Sequence, residues 1–360
     1  MRLKKLIIAL GIILAILIVI AAASTFLSSN GEISISKPKE NVSIAMVGDV
    51  MFARTMPGYL SSDSSPFSGV SNVTSNADLL IINFENAATN SESAVKGDVP
   101  LKCSPEYVPL AKANNNTIAA LANNHVCDYG IDGMRDTIKY VGEAGMTPMG
   151  AGENESDAHQ SVSKEINGRN ITVLNYMDSN NFAEYSYDAL PYANGSSPGY
   201  SAYDSADAQK QISEARGNGS DFVIAYMHFG NEYSRSPNED QEKIAHELID
   251  YGADVVIGAH PHVTQGVEMY KGKPICYSMG NFIFDLARSD TWRDYFVGMD
   301  LVNDTCKLTI YPVNMIGYLP YFMSPEEGKA LLNELNPQCD QLNITENGTG
   351  VLTFNLTKEK

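Results

Sequence analysis

Thr117-Ile118-Ala119-Ala120-Leu121-Ala122-Asn123-Asn124-His125-Val126-Cys127-Asp128-Tyr129-Gly130 passes from an apolar, β-prone run into a polar turn within a few residues. The run Thr117–Leu121 reads as a buried strand, and the apolar spacing over Ile131–Ala144 reads as a helix. A strand that ends in amides, an imidazole and a carboxylate before a helix is the repeating unit of an α/β sheet. In such sheets ligands gather outside the carboxyl ends of the strands.

Other strand candidates end in the same way. Val42–Val47 leads into Gly48-Asp49, Leu79–Asn83 into Phe84-Glu85, and Phe222–Met227 into His228, Gly230 and Glu232. Val255–Ile257 leads into His260-Pro261-His262, and Ile275–Ser278 into Gly280-Asn281. Ile171–Tyr176 is a further strand, and helical patterns cover Glu106–Ala113, Ala206–Ala215 and Glu239–Tyr251. This alternation predicts an α/β fold with both sheet faces covered. Tyr295–Leu301 and Leu308–Val313 have no helix between them and read as antiparallel; Pro325–Leu335 reads as the last helix. The expected domain runs over 42–335, after a Ser-rich linker at 28–41 and before a tail, 336–360, with one strand at Val351–Leu356. Asp78, Asp221 and Asp254 each precede a strand, where turn chemistry explains them.

Histidine placement points to a metal. Of 6 histidines, His125, His228, His260 and His262 stand at strand ends, beside Asp49, Glu85 and Asn124. Mixed imidazole and carboxylate donors suit one or two divalent ions and admit Zn, Mn, Fe or Ni. A neutral imidazole beside such a site can transfer a proton, which makes His125 the catalytic candidate. Asp128, Glu232 and Asn281 are candidates for orienting ligand rings or holding substrate, with loop and cap polarity as the competing explanation. His159 lies in a polar stretch and His246 on an amphipathic helix, so both are set aside.

The chain is acidic, with 43 Asp and Glu against 25 Lys and Arg and a formal net charge of -18. Such a surface repels phosphate backbones and excludes nucleic acid as the expected partner. Arg2, Lys4 and Lys5 precede an uncharged apolar run, Leu6–Ala23, about 27 Å long as a helix. The expectation is an uncleaved single-pass anchor over 1–27 that leaves the remaining chain outside the cytoplasm. Ala21 and Ala23 leave open a cleaved signal peptide and a secreted protein. Eleven Asn-x-Ser/Thr sequons fit a glycosylated external protein. The 5 cysteines show no CxxC spacing and read as buried thiols.

The strings VGDVMF, NFENAAT, LANNHVCDYG, HFGNEY, GAHPHVTQGVE and YSMGNFIFD resemble those of the CapA-type poly-γ-glutamate capsule synthesis proteins. The resemblance spans Val42 to Val313, with the motifs in order. That family is similar to the calcineurin-like metallophosphoesterases, which implies a layered α-β-β-α sandwich with mixed sheets. It also implies roles: Asp49 and His262 on a first metal, Glu85 in the bridging place, Asn124, His228 and His260 on a second, and His125 as proton donor. Met51 stands where the phosphoesterases have a histidine, so the first metal has one ligand fewer and phosphoester hydrolysis does not follow from the fold. The expected function is synthesis or export of an anionic surface polymer such as poly-γ-glutamate. Two readings stay open: metal-dependent hydrolysis or transfer on a phosphoester or amide, and a non-catalytic subunit that binds polymer or other membrane proteins and uses its metal structurally.

Overall fold

The computed structural model describes residues 40–60, 65–182, 190–335, 339 and 341–356. Two sheets form the body. In the larger, the strand Val42–Val50 pairs parallel with Leu79–Phe84, which leads on through Thr117–Ala120 to Thr147–Met149. On its other side it pairs antiparallel with Arg293–Val302, followed by Thr305–Ile316, Gly350–Asn355 and Asn343–Ile344. The smaller sheet runs Val267–Tyr270, Lys273–Cys276, Val255–Ala259, Phe222–His228, Arg169–Met177, Val162–Ile166. Its four middle strands are parallel and an antiparallel hairpin closes each edge.

Strand periodicity builds the layers, because successive side chains point to opposite faces. Ile44 and Met46 of the first sheet pack with Ile224, Tyr226 and Ile257 of the second in one core between the sheets. Their neighbours Ala45 and Val47 face outward, in a second core with Met134 and Val141 of the helix Gly130–Glu143. Val223, Ala225 and Met227 face the other way, against Ile212 of the helix Ser205–Gly217 and Ile244 and Leu248 of the helix Glu239–Tyr251. The result is the layered α/β sandwich with mixed sheets. Leu352 and Phe354 of the strand Gly350–Asn355 also enter the core between the sheets.

The aspartates before the strands hold register. Asp78 accepts from the Ser43 amide (2.8 Å), Asp221 from the Asn170 amide (3.0 Å) and Asp254 from the Val223 amide (3.0 Å). Each carboxylate thus ties the start of one strand to its parallel neighbour. The segment expected as a helix over Glu106–Ala113 forms a 3-10 helix, Pro105–Ala111, instead. Pro109 lies inside it, and a proline ring clashes with the carbonyl four residues back in an α-helix. All five cysteines are buried.

The expected membrane placement is corrected. Among the described residues no helix is long and apolar enough to cross a membrane. The Gly130–Glu143 helix, at 14 residues, spans only about 21 Å and has one apolar face. Leu6–Ala23, on which the single-pass and secreted readings rested, lies outside the described residues.

Candidate metal centre

The parallel strands of both sheets deliver their polar ends to one buried cluster. Asp49 lies in Val42–Val50, Glu85 follows Leu79–Phe84, and Asn124 and His125 follow Thr117–Ala120. His228 ends Phe222–His228, and His260 and His262 follow Val255–Ala259. Asp49, Glu85, Asn124 and His228 are 0% exposed, and His125, His260 and His262 no more than 6%. Two backbone features make the convergence possible. A Cβ on Gly48 would lie 2.0 Å from the Gly280 carbonyl oxygen, so only glycine lets these segments touch and set Asn281 opposite Asp49. His260 and His262 adopt φ of +99° and +58°, a left-handed region that costs an L-residue about 1–3 kcal/mol. Strain of this kind persists only where the surroundings impose it.

An amide network fixes the donors. Asn83 Nδ2 donates to Asp49 Oδ1 (2.8 Å) and Glu85 Oε2 (3.1 Å). Asn123 Nδ2 donates to Asn83 Oδ1 (3.1 Å) and the Phe84 carbonyl (3.0 Å), while its own Oδ1 accepts from the His125 amide (3.1 Å). Asn124 Oδ1 lies 2.9 Å from His228 Nε2, and Asn281 Oδ1 lies 3.0 Å from His262 Nδ1. His125 Nδ1 meets Asp128 Oδ2 at 2.6 Å and points Nε2 toward Glu85 Oε1, 4.0 Å away. Glu232 is exposed in the loop after His228, and its charge reaches Glu85.

Two sets of donor atoms lie close enough to share an ion: Asp49, Glu85 and His262, and Glu85, His228 and His260. Glu85 belongs to both. Asp49 Oδ2 and Glu85 Oε1 are buried and accept no hydrogen bond among the described residues. Burial, then the neighbouring imidazoles, pushes His228 and His260 well below the ordinary histidine range, which favours the neutral rings that a metal needs. Burial, reinforced by Asp49, pushes Glu85 well above the carboxylate range. Without an ion that environment favours the protonated acid, and a bound cation would favour the carboxylate instead. The donor set fits a divalent ion: Asp49 and His262 on one side, His228 and His260 on the other, with Glu85 between.

The model of the bacterial capsule synthesis protein family PGA_cap matches residues 43–286. The chain belongs to this family. It is 33% identical over 319 residues to the capsule biosynthesis protein CapA of Bacillus anthracis, covering 85% of this chain and 75% of that one. It is 31% identical over 325 residues to the PGA biosynthesis protein CapA of Bacillus subtilis (strain 168), covering 88% and 82%. Among solved structures, the calcineurin-like phosphoesterase YfkN from Bacillus subtilis aligns at a TM-score of 0.43 and 13% identity, covering 89% of this chain and 92% of that one.

Several residues of this cluster were not singled out by the sequence. Lys96 is buried, with Nζ 3.3 Å from the Asn124 carbonyl, 3.3 Å from His125 Nδ1 and 3.7 Å from Asp128 Oδ1. It comes from a Ser-rich loop that shows no periodicity. Asp294 is fully buried on the antiparallel strand Arg293–Val302, against Gly280, and burial pushes its carboxyl well above the usual range. Asn83 and Asn123 each sit next to a motif residue, and that adjacency was their only signal. The two histidines set aside lie elsewhere: His159 meets Asp207 at 2.7 Å, and His246 stacks on Tyr270 and pairs with Glu268.

Proposed function

We propose that the chain serves synthesis of a poly-γ-glutamate type capsule polymer through a divalent metal centre that acts on an amide or phosphoester bond. The observation that carries this is the meeting of the two donor sets at Glu85, with the His125–Asp128 pair aimed at the same carboxylate. The names of the Bacillus relatives speak of capsule and PGA biosynthesis, and the motif resemblance points to poly-γ-glutamate as the polymer. A bound divalent ion would supply Lewis acidity and a more acidic water. The chain's own part is proton handling. Asp128 accepts from His125 Nδ1, which fixes the ring and leaves Nε2 facing the cluster. His125 Nε2 then holds or moves the proton of a leaving oxygen or nitrogen, work typically worth ~10²–10⁴-fold in rate.

One observation favours a second reading. The donors are almost wholly buried, which leaves a substrate little room to reach an ion held there. Met51, in place of the phosphoesterase histidine, separately weakens the analogy to phosphoester hydrolysis. In that reading the chain is a polymer-binding subunit and the ion only holds the fold. His125→Asn separates the two, because it keeps a polar group and removes the proton-transfer group. The proposal expects bound metal and melting temperature to hold while polymer production in a complementation assay falls by ~10²-fold or more. Unchanged production with intact metal and stability rejects the catalytic role and leaves the binding subunit.

A further inference from the structure

An acidic chain that handles a polyanion needs local donors near its site. Two arginines offer directed donors instead of net charge, each one aromatic ring away from His262. The Phe284 ring centroid is 4.8 Å from that of His262, and the Arg54 guanidinium carbon lies 5.4 Å over Phe284. The Tyr233 ring is 6.0 Å from His262, and the Arg288 guanidinium lies 4.0 Å over Tyr233. His262 is buried, whereas the Arg54 and Arg288 side chains are 30% and 49% exposed. The two chains of contacts therefore lead from the buried donor to solvent, and each ends in a cation.

Both guanidiniums are held in place beforehand. Asp285 takes Nε (2.8 Å) and Nη2 of Arg54, and also accepts from the Thr55 amide (2.9 Å) and hydroxyl (2.6 Å). Asp290 takes Nε (3.2 Å) and Nη2 (2.8 Å) of Arg288. Among the described residues no hydrogen bond engages Nη1 of either arginine. These two aspartates and the exposed Glu232 outnumber the two arginines, so there is no general attraction of an anion. What remains is a fixed, unused donor edge on each guanidinium, the geometry that reads a carboxylate by direct hydrogen bonds.

We infer that Arg54 and Arg288 are specificity-determining residues that engage side-chain carboxylates of a linear polycarboxylate lying across the mouth of the metal centre. The inference rests on the proposed polymer function and adds how the polymer is told from a small anion. A single phosphate or glutamate reaches the centre without spanning both arginines, while an oligomer engages both at once and gains from the second contact as an intramolecular event.

The test is calorimetric titration of the full chain, metal-loaded, with a short γ-linked glutamate oligomer, free glutamate and inorganic phosphate. Arg54→Gln with Arg288→Gln is expected to weaken the oligomer by about tenfold or more. Phosphate binding and metal content should not move. Arg54→Lys with Arg288→Lys keeps the charge without the fork and is expected to recover only part of the loss. Equal oligomer affinity in wild type and the glutamine pair overturns the arginine assignment alone. A wild type that binds phosphate but no oligomer overturns it together with the polymer reading.

Discussion

Replacing His260 by glycine and, separately, by alanine isolates the strain stored at the metal centre. Both substitutions remove the imidazole that packs 4.7 Å from the His228 ring, so the loss of contacts cancels to first order in their comparison. They differ in the backbone. At φ +99° alanine keeps the steric cost of about 1–3 kcal/mol, which glycine escapes. Glycine in turn gains about 0.4–1 kcal/mol of freedom in the unfolded chain. The net expectation is a glycine variant more stable than the alanine variant by roughly 1–2 kcal/mol, a few degrees in melting temperature. At an unstrained position the order is reversed. Urea unfolding of both proteins in the presence of a chelator measures the difference directly. An alanine variant equal to or more stable than glycine refutes the claim that the fold forces this histidine into its conformation.

Three further expectations follow from the same geometry. His260→Ala with His262→Ala removes a donor from each set and should abolish bound metal while far-UV circular dichroism stays near wild type; full metal content in that protein contradicts the assignment. Tyr226→Phe deletes the 2.6 Å bond from the phenol to the Val47 carbonyl and should cost ~1–2 kcal/mol in urea unfolding. Asp294→Asn tests the buried carboxyl in chelated protein. Its folded value is raised, so the folded chain keeps a proton that the unfolded chain releases, and wild-type stability falls as pH rises above the ordinary value near 4. The asparagine variant lacks that loss and should gain on wild type as pH rises from about 4, and a gap that is flat with pH contradicts the reading.

Much of this was legible because chemistry and periodicity coincide at the strand ends. An apolar run that stops at a lone Asp, Glu or His marks both a strand and the place where its chain turns toward the site, so Asp49, Glu85, Asn124, His228, His260 and His262 could be named together. The division into two sheets was less visible, because the strands of both are equally apolar and only pairing separates them. Lys96 and Asp294 were invisible for another reason. Each is a charged residue in a setting that ordinarily faces solvent, and only the fold reveals that it is buried. Pro109 is the residue that tells the short Pro105–Ala111 turn from an α-helix, whereas the apolar spacing around it suits both. The arginines beside Phe284 and Tyr233 come from loops far apart in the chain, a proximity no local pattern encodes.

The cluster draws Asp49, Glu85 and Asn124 from one sheet and His228, His260 and His262 from the other. An ion held there would act as a rivet through a laminate, since neither layer alone owns a complete set of donors. At a free concentration of a hundred times its dissociation constant, it would add about 2.7 kcal/mol against separation of the layers. Starvation for that ion would then reach further than lost chemistry. The layers would part more often, proteases would find the open form, and the amount of protein would track the supply of metal.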